Sequence, residues 1–275
     1  MNLEKPWNEY TYVSFDTETS GAYPLGAEIV EIGMVKWKDG KEIDSYQTLL
    51  KPSFPMSDFI IGIHGISNEM VENAPKMKEK IQEIRDFFKD CVLMAHHAPF
   101  DMGFLTVDFE KNGILLPSEP VLCTSLLARK LIPETENHKL QTLIKVLKID
   151  GGTAHRALDD ARACLHVGLE CLKRMGEQAT LRHATKAMGK ELDWNKYSLM
   201  QGQNELYQKV VSATIEHKDI DIIYESGSVK GKTRRISPIG IVRNPDGDYV
   251  MAVCHIDRAQ KRFYLGKISD ASVVF

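Results

Sequence analysis

Tyr12-Val13-Ser14-Phe15-Asp16-Thr17-Glu18-Thr19 is the stretch that decides how this chain is read. Four residues suited to a buried strand run directly into an acidic residue, and a second acidic residue follows two positions on. Strand side chains alternate between faces, so Asp16 and Glu18 leave the strand on the same side. Two carboxylates at the end of an apolar strand either close a solvated turn or begin a site. Asp-x-Glu alone does not choose between them.

Working outward, Ala27 to Trp37 reads as a second strand rich in Ile and Val, and Lys41 to Leu50 as a third, with Asp39-Gly40 as the hairpin turn between them. Met77, Ile81, Ile84 and Phe88 fall at helical spacing within 77–89. Residues 91–95 make a short apolar strand, and 101–112 a helix that Gly113 closes. Residues 121–131 read as a strand running into a helix, 140–147 as a helix and 159–175 as a longer one. Three strands in hairpin order followed by alternating strands and helices predict an α/β fold, a mixed sheet with flanking helices. Residues 177–205 are polar and lack a long apolar period, which predicts a linker or docking segment. From Leu206 a helix leads into short strands at 221–224, 236–243, 249–254 and 262–265, separated by Gly, Pro and Asp-Gly turns. The expected domains are therefore 1–176, a connecting 177–205 and a small β-rich 206–275.

The bulk numbers agree with two soluble units. A chain of 275 residues is comfortable for two domains, and 43% hydrophobic with 27% charged residues is ordinary for a globular protein. The net charge of −3 gives no global pull toward nucleic acid. Residues 206–275 carry 11 Lys+Arg against 8 Asp+Glu, and the rest 24 against 30, which is either a division of tasks or common scatter. The five cysteines are odd in number and form no C-x-x-C pair, as expected of buried thiols in a reducing compartment. No basic start precedes an apolar run, and no apolar stretch reaches the ~18–20 residues of a membrane span, so the expectation is a cytoplasmic protein without a membrane partner.

Two further acidic positions join the first pair. Asp101 follows the strand through Ala95-His96-His97-Ala98-Pro99-Phe100, where Pro99 breaks the chain and Phe100 can anchor it; an ordinary helix cap explains Asp101 equally well. Asp160 lies five residues after His155 in His155-Arg156-Ala157-Leu158-Asp159-Asp160, and Asp159 or Asp160 could simply cap the last long helix. Taken together the set asks for more. Carboxylates gathered at one place repel one another and are costly to bury. Hard divalent cations with oxygen ligands remove that cost, and two of them roughly 3.5–4 Å apart can clamp a phosphodiester. A histidine supplies a base that titrates near neutrality.

These three segments, in this order, resemble the three motifs of the DnaQ-like exonuclease superfamily: Phe15-Asp16-Thr17-Glu18-Thr19 the first, residues 95–101 the second, and His155 with Asp160 the third. The histidine resembles that of the DEDDh branch, and the likeness covers roughly residues 10–175. It implies an RNase H-like fold, two Mg²⁺ or Mn²⁺ ions and 3′→5′ removal of nucleotides. It implies Asp16, Glu18, Asp101 and Asp160 as metal ligands and His155 as general base. Ile63-His64-Gly65-Ile66 also resembles this branch, which implies His64 near the 3′-terminal nucleotides; Thr17, Thr19, His97 and Phe100 are further expected substrate contacts. Relatives of the proofreading type usually carry Asn where this chain has His97. His96 and His97 lack the partner ligands that a zinc site would need.

The last 70 residues resemble a WYL domain, a small Sm-like β-barrel of bacterial regulators, with Asp248-Tyr249-Val250 where Trp-Tyr-Leu would stand. The resemblance implies a ligand-sensing or nucleic-acid-binding accessory unit and a bacterial source. The cluster of Lys230, Lys232, Arg234, Arg235, Arg262 and Lys267 could receive phosphates, and Tyr249, Phe263 and Tyr264 could stack on bases or form the core. The expected function is a two-metal 3′→5′ exonuclease acting on single-stranded or 3′-ended DNA in repair or processing. An RNA exonuclease has the same chemistry. A non-catalytic nucleic-acid-binding regulator is the reading from another class.

Overall fold

The computed structural model describes residues 1–199, 204–227, 229–243 and 247–274 and divides into two compact units. The first comprises Met1–Ser20 and Ile29–Lys196, and the second Gly21–Glu28 and Tyr197–Phe275.

Unit one is built on β1 (Tyr12–Thr19), β2 (Ile29–Lys38), β3 (Lys41–Leu49), β4 (Val92–Ala95) and β5 (Val121–Cys123), in the order β3-β2-β1-β4-β5. The first three strands are antiparallel neighbours, and β4 and β5 join parallel to β1, giving the mixed sheet that the sequence predicts. Between β3 and β4 lie α1 (Asp58–His64), α2 (Asn68–Val71) and α3 (Met77–Phe88). The remaining helices are α4 (Pro99–Lys111), α5 (Thr124–Leu131), α6 (Leu140–Leu147), α7 (Ala157–Arg174) and α8 (Leu181–Ala187). The helices α1 and α2 are too short to show a period. Ser57 caps α1 through its side chain, and Val30, Met56, Ile66 and Val71 form a small core that fixes the pair to the sheet.

Strand β1 runs past Asp16 to Thr19, so both acidic residues lie within the strand rather than at its end. Its pairing with β2 places Asp16 opposite Gly33 and Glu18 opposite Glu31, with a register shift at Glu18/Thr19. The eighteen-residue α7 lies across β1 and β2. It comes this close because Gly33 has no side chain: a Cβ there would stand 2.2 Å from the Leu158 backbone nitrogen.

The segment read as a linker is structured from 181 to 196. Thr180 caps α8, and Trp194 is buried against Phe15, Phe88 and Phe109 with ring centroids 6.5, 6.2 and 6.1 Å away. A polar composition hid a few large anchors that need no apolar period to hold a chain in place. Residues 200–203 of that segment lie outside the described residues.

Unit two places α9 (Glu205–Ile215) beside an antiparallel sheet in the order β10-β6-β7-β8-β9. Its strands are β6 (Ile220–Tyr224), β7 (Thr233–Val242), β8 (Tyr249–Cys254), β9 (Ala259–Tyr264) and β10 (Ile268–Val273). The last was not expected from sequence: in Ile268-Ser269-Asp270-Ala271-Ser272-Val273 small and polar residues interrupt the apolar ones, and the strand pairs with β6 across a register shift. Residues 21–28, which connect β1 to β2 in the chain, belong to this unit. Leu25 is fully buried and bridges Ile241, and Gly240 lets Tyr23 approach, since a Cβ on it would lie 2.2 Å from that of Tyr23.

Candidate active site

Four carboxylates converge where β1, α4 and α7 meet. Asp16 and Glu18 come from one face of β1. Asp101, in the first turn of α4, accepts hydrogen bonds from the Thr17 backbone N–H (3.0 Å) and the Thr17 hydroxyl (2.8 Å). Pro99 opens that helix, where its missing N–H is harmless, and so sets Asp101 facing the sheet. Asp160, in the first turn of α7, accepts from the His155 backbone N–H (2.9 Å) and from Gln141 Nε2 (3.4 Å). Asp159 accepts from the Thr153 N–H (2.8 Å) in the turn before α7, and that helix starts without a side-chain cap, so the capping role offered for either residue falls to neither, and Asp160 is buried.

All four carboxyl groups titrate above their ordinary values. Burial holds Asp16 well above the usual carboxylate range, and the charges of Asp101, Glu18, Asp160 and Glu31 push the same way. Burial, then Asp160, Glu31 and Asp101, lifts Glu18 to about 8, against the guanidinium of Arg156. Burial also raises Asp101, with the Thr17 hydrogen bonds opposing, and raises Asp160, with the His155 backbone opposing. Their charged forms are costly here, a cost that a cation among them would offset.

The histidines divide. His155 is exposed on a turn with φ +61°, and it, Glu18 and Asp160 offer ligand atoms all within 4.8 Å of one another. His64, at the end of α1, is buried; its Nδ1 accepts from the Ile66 N–H (3.0 Å), and burial lowers its pKa against the Thr19 backbone and Glu31. The nearby charge of His155 also acts on it, which places His64 beside the acidic site. Thr17 and Thr19 are buried in β1. His97 is exposed with φ +64° just after β4, and Phe100 is half-buried with its ring 5.0 Å from that of Phe104. His96 is held by Thr124 Oγ1 (2.9 Å) and the His138 carbonyl (3.0 Å), and burial lowers it to about 4. Both its ring nitrogens are thus engaged in hydrogen bonds.

Two residues escaped the sequence reading. Glu31 is fully buried in β2 and bound by Arg156, Ala157 and Gln47. The available signal was a lone charge inside the apolar run Ile29-Val30-Glu31-Ile32. Arg156, next to His155, is its ion-pair partner.

In unit two the expected basic cluster is partly dismantled. Arg234 is 5% exposed, lies 3.5 Å from Asp257, donates to Cys254 Sγ and sits 5.4 Å from the centre of the Phe263 ring. The alternation of β7 turns it inward, so it cannot receive a phosphate from solvent. Arg235 is exposed but held by two bonds of 2.9 Å to Asp221. Phe263 is buried and Tyr249 nearly so, which makes them core. Arg262 and Lys267 remain exposed, 5.3 Å and 5.5 Å from the centres of the Tyr249 and Tyr264 rings.

Comparison with known proteins fits this geometry. The family model described as an exonuclease matches residues 13–167, more than half of the chain. The chain belongs to the exonuclease family. Its exonuclease domain is followed by a match to the WYL domain over residues 205–273. The PolC-type DNA polymerase III of Bacillus cereus is 38% identical over 175 residues, 64% of this chain and 12% of that protein. The Bacillus subtilis enzyme of the same description is 38% identical over 202 residues, 73% of this chain and 13% of its own length. The chain thus spans about an eighth of these relatives. Among solved structures, Exonuclease X in complex with 5′ overhanging duplex DNA matches with a TM-score of 0.50 at 27% identity, over 65% of this chain and 99% of that one. The zinc-bound E. coli ExoI–ssDNA complex shares the fold, with a TM-score of 0.56 at 16% identity over 89% of this chain and 54% of that one. Among the described residues, no helix is long and apolar enough to cross a membrane.

Proposed function

We propose that the chain is a two-metal exonuclease that removes nucleotides from the 3′ end of DNA, in repair or processing. The observation that carries this reading is the convergence of Asp16, Glu18, Asp101 and Asp160, each raised by burial, with His155 at their edge. DNA is favoured over RNA because the relatives above 30% identity are DNA polymerases and the structure at 27% identity holds DNA.

The donor set suits hard divalent ions: oxygen ligands, crowded, and costly to keep charged without a cation. Asp16, Glu18, Asp101 and Asp160 would hold Mg²⁺ or Mn²⁺, which supplies charge stabilisation at the phosphate and acidifies water. Thr17 fixes the rotamer of Asp101 through two hydrogen bonds, leaving its second oxygen for the site. His155, exposed on its turn, takes the proton from the attacking water. His64, Thr19, His97 and Phe100 line the approach of the terminal nucleotides.

The test is release of mononucleotides from end-labelled single-stranded DNA with Mg²⁺ or Mn²⁺, with RNA alongside. No product from either polymer with either ion would refute the reading. His155→Ala is expected to lower kcat by about 100-fold or more, the usual scale of a general base. Wild-type turnover by that variant at neutral pH would remove His155 from the role.

The raised carboxylates also set a stability trend. Below the ordinary Glu value of 4.5 both folded and unfolded states hold the Glu18 proton. From 4.5 to about 8 the folded state retains it and the unfolded state has released it, so stability falls as pH rises through that window. Metal-free protein is expected to melt lower at pH 8 than at pH 5.5 by about 5 °C, and Mn²⁺ to raise Tm more at pH 8. Melting curves with and without chelator measure this; a metal-free Tm that rises over the window would contradict it.

For unit two, Arg262 and Lys267 are the proposed nucleic-acid contacts. Replacing both with Ala is expected to weaken DNA binding a few-fold and reduce the salt slope by about 2. Titrations of DNA binding at several salt concentrations check this, and an unchanged slope would leave the unit without that role.

A further inference from the structure

Among the described residues Glu31 is the carboxylate with no exposed surface at all, and it stands outside the proposed ligand set. Its oxygens accept from Arg156 Nη2 (2.7 Å) and Nε (3.3 Å), the Ala157 N–H (3.1 Å) and Gln47 Nε2 (2.8 Å). A buried carboxylate is tolerable only when paired and hydrogen-bonded in this way, and a packed apolar residue would serve a merely structural need as well. What it binds is specific: the two residues that directly follow His155.

His155 lies in the left-handed region, φ +61°, which a residue with a Cβ adopts only when its surroundings impose it. On one side of the turn the ties are local, Gly152 N–H to Asp150 and Thr153 N–H to Asp159. On the other side Arg156 and Ala157 are tied to Glu31, 125 and 126 residues away on the sheet. The same turn aims the His155 N–H at Asp160. Glu31 faces Glu18 across β1 and β2, so the Arg156 cation also offsets what would be two adjacent carboxylates.

We propose that Glu31 and Arg156 form a latch that positions His155 for the reaction. Both are positioning residues, and the proposal rests on the reading of His155 as the base. Their substitution leaves every proposed ion ligand in place. The effect therefore falls on the turnover step and spares ion and substrate binding.

Arg156→Ala and Arg156→Lys are compared with wild type on a single-stranded DNA oligonucleotide. We expect kcat to fall about 100-fold in the first and at least about 10-fold in the second, since an ammonium cannot reproduce the two-pronged bond. KM, and Mn²⁺ affinity measured by calorimetry, should stay within about threefold, because the ligands are untouched. Methylguanidinium should restore a large part of the turnover of Arg156→Ala and none of that of His155→Ala. In metal-free protein the His155 ring resonance should be single in wild type and broadened or doubled in Arg156→Ala. Unchanged kcat in both variants would overturn the latch. So would a loss confined to KM, which would make Arg156 a substrate contact, or a single unshifted His155 resonance. If Arg156→Ala fails to fold, Arg156→Lys carries the same readouts. If wild type itself cleaves nothing, the exonuclease reading fails, and the His155 resonance still decides whether Glu31 and Arg156 hold the turn.

Discussion

Asp16→Asn is expected to slow cleavage by about 10²–10³ and, at the same time, to make the metal-free protein more stable. The two effects share one cause. Asp16 is the carboxylate on which the others act most: burial disfavours its charge, and Asp101, Glu18, Asp160 and Glu31 disfavour it further. An amide of the same shape removes that repulsion and keeps the packing of β1. Recovery of about 1–2 kcal/mol at pH 8 is the usual gain when a strained functional position is relaxed, and it corresponds to a Tm rise of about 3–6 °C. Activity moves the other way. A neutral amide at the centre of the donor set holds a divalent ion poorly, and loss of one strong electrostatic stabiliser costs about 10²–10³ in kcat. With Mn²⁺ present the order of stabilities inverts, because wild type gains from the ion and the variant does not. Melting curves with chelator and with Mn²⁺, beside an oligonucleotide assay, give all four numbers. A variant less stable than wild type without metal at pH 8 would mean that Asp16 is not strained. One that cleaves at a wild-type rate would mean that it is not a ligand.

The five residues proposed for the chemistry were legible because chemistry leaves residue types that structure alone does not need. Asp16-x-Glu18, Asp101, and His155 with Asp160 each have a turn or cap alternative alone, and only their order and shared need for a cation make them read as ligands. What stayed hidden is what side chains do out of sight of any period. Glu31 lies inside a strand read from its Ile and Val neighbours, and only the structure shows Arg156 and Ala157 meeting it. Arg234 had the opposite fate. Its charge looked available, but Thr233 to Ile236 alternate outward and inward, and position 234 points in. Trp194 belongs to the first unit through three aromatic contacts that no local pattern announces. Nor does sequence order reveal that residues 21–28, flanked by β1 and β2, pack with β7.

Gly33 makes the same point through what it lacks, and its replacement by Ala is expected to damage fold and site together. Gly33 pairs with Asp16 across β1 and β2. A Cβ on it would lie 2.2 Å from Leu158 N, 2.3 Å from Ala157 C and 2.4 Å from Leu158 Cα. All three are backbone atoms, so no rotamer change relieves the clash, and α7 must lift from the sheet. The start of α7 carries Asp160 and follows His155, so lifting it pulls two of the five proposed catalytic groups from the other three. Overpacking of this kind costs about 3 kcal/mol, or about 6–12 °C in Tm. Displacement by about 1 Å at a reacting centre costs about 100-fold in rate. Gly62 provides the contrast, an exposed helical glycine with nothing within 4 Å of its would-be Cβ. Gly62→Ala is expected to keep or slightly raise Tm, as alanine is the better helix former. Mn²⁺ distinguishes the Gly33 defect from a missing ligand, since ions cannot push a helix back onto a filled strand and should leave the lost turnover unrestored. A Gly33→Ala protein that melts and cleaves like wild type would show that α7 does not need this contact, and would undo the account of how Asp160 reaches Asp16.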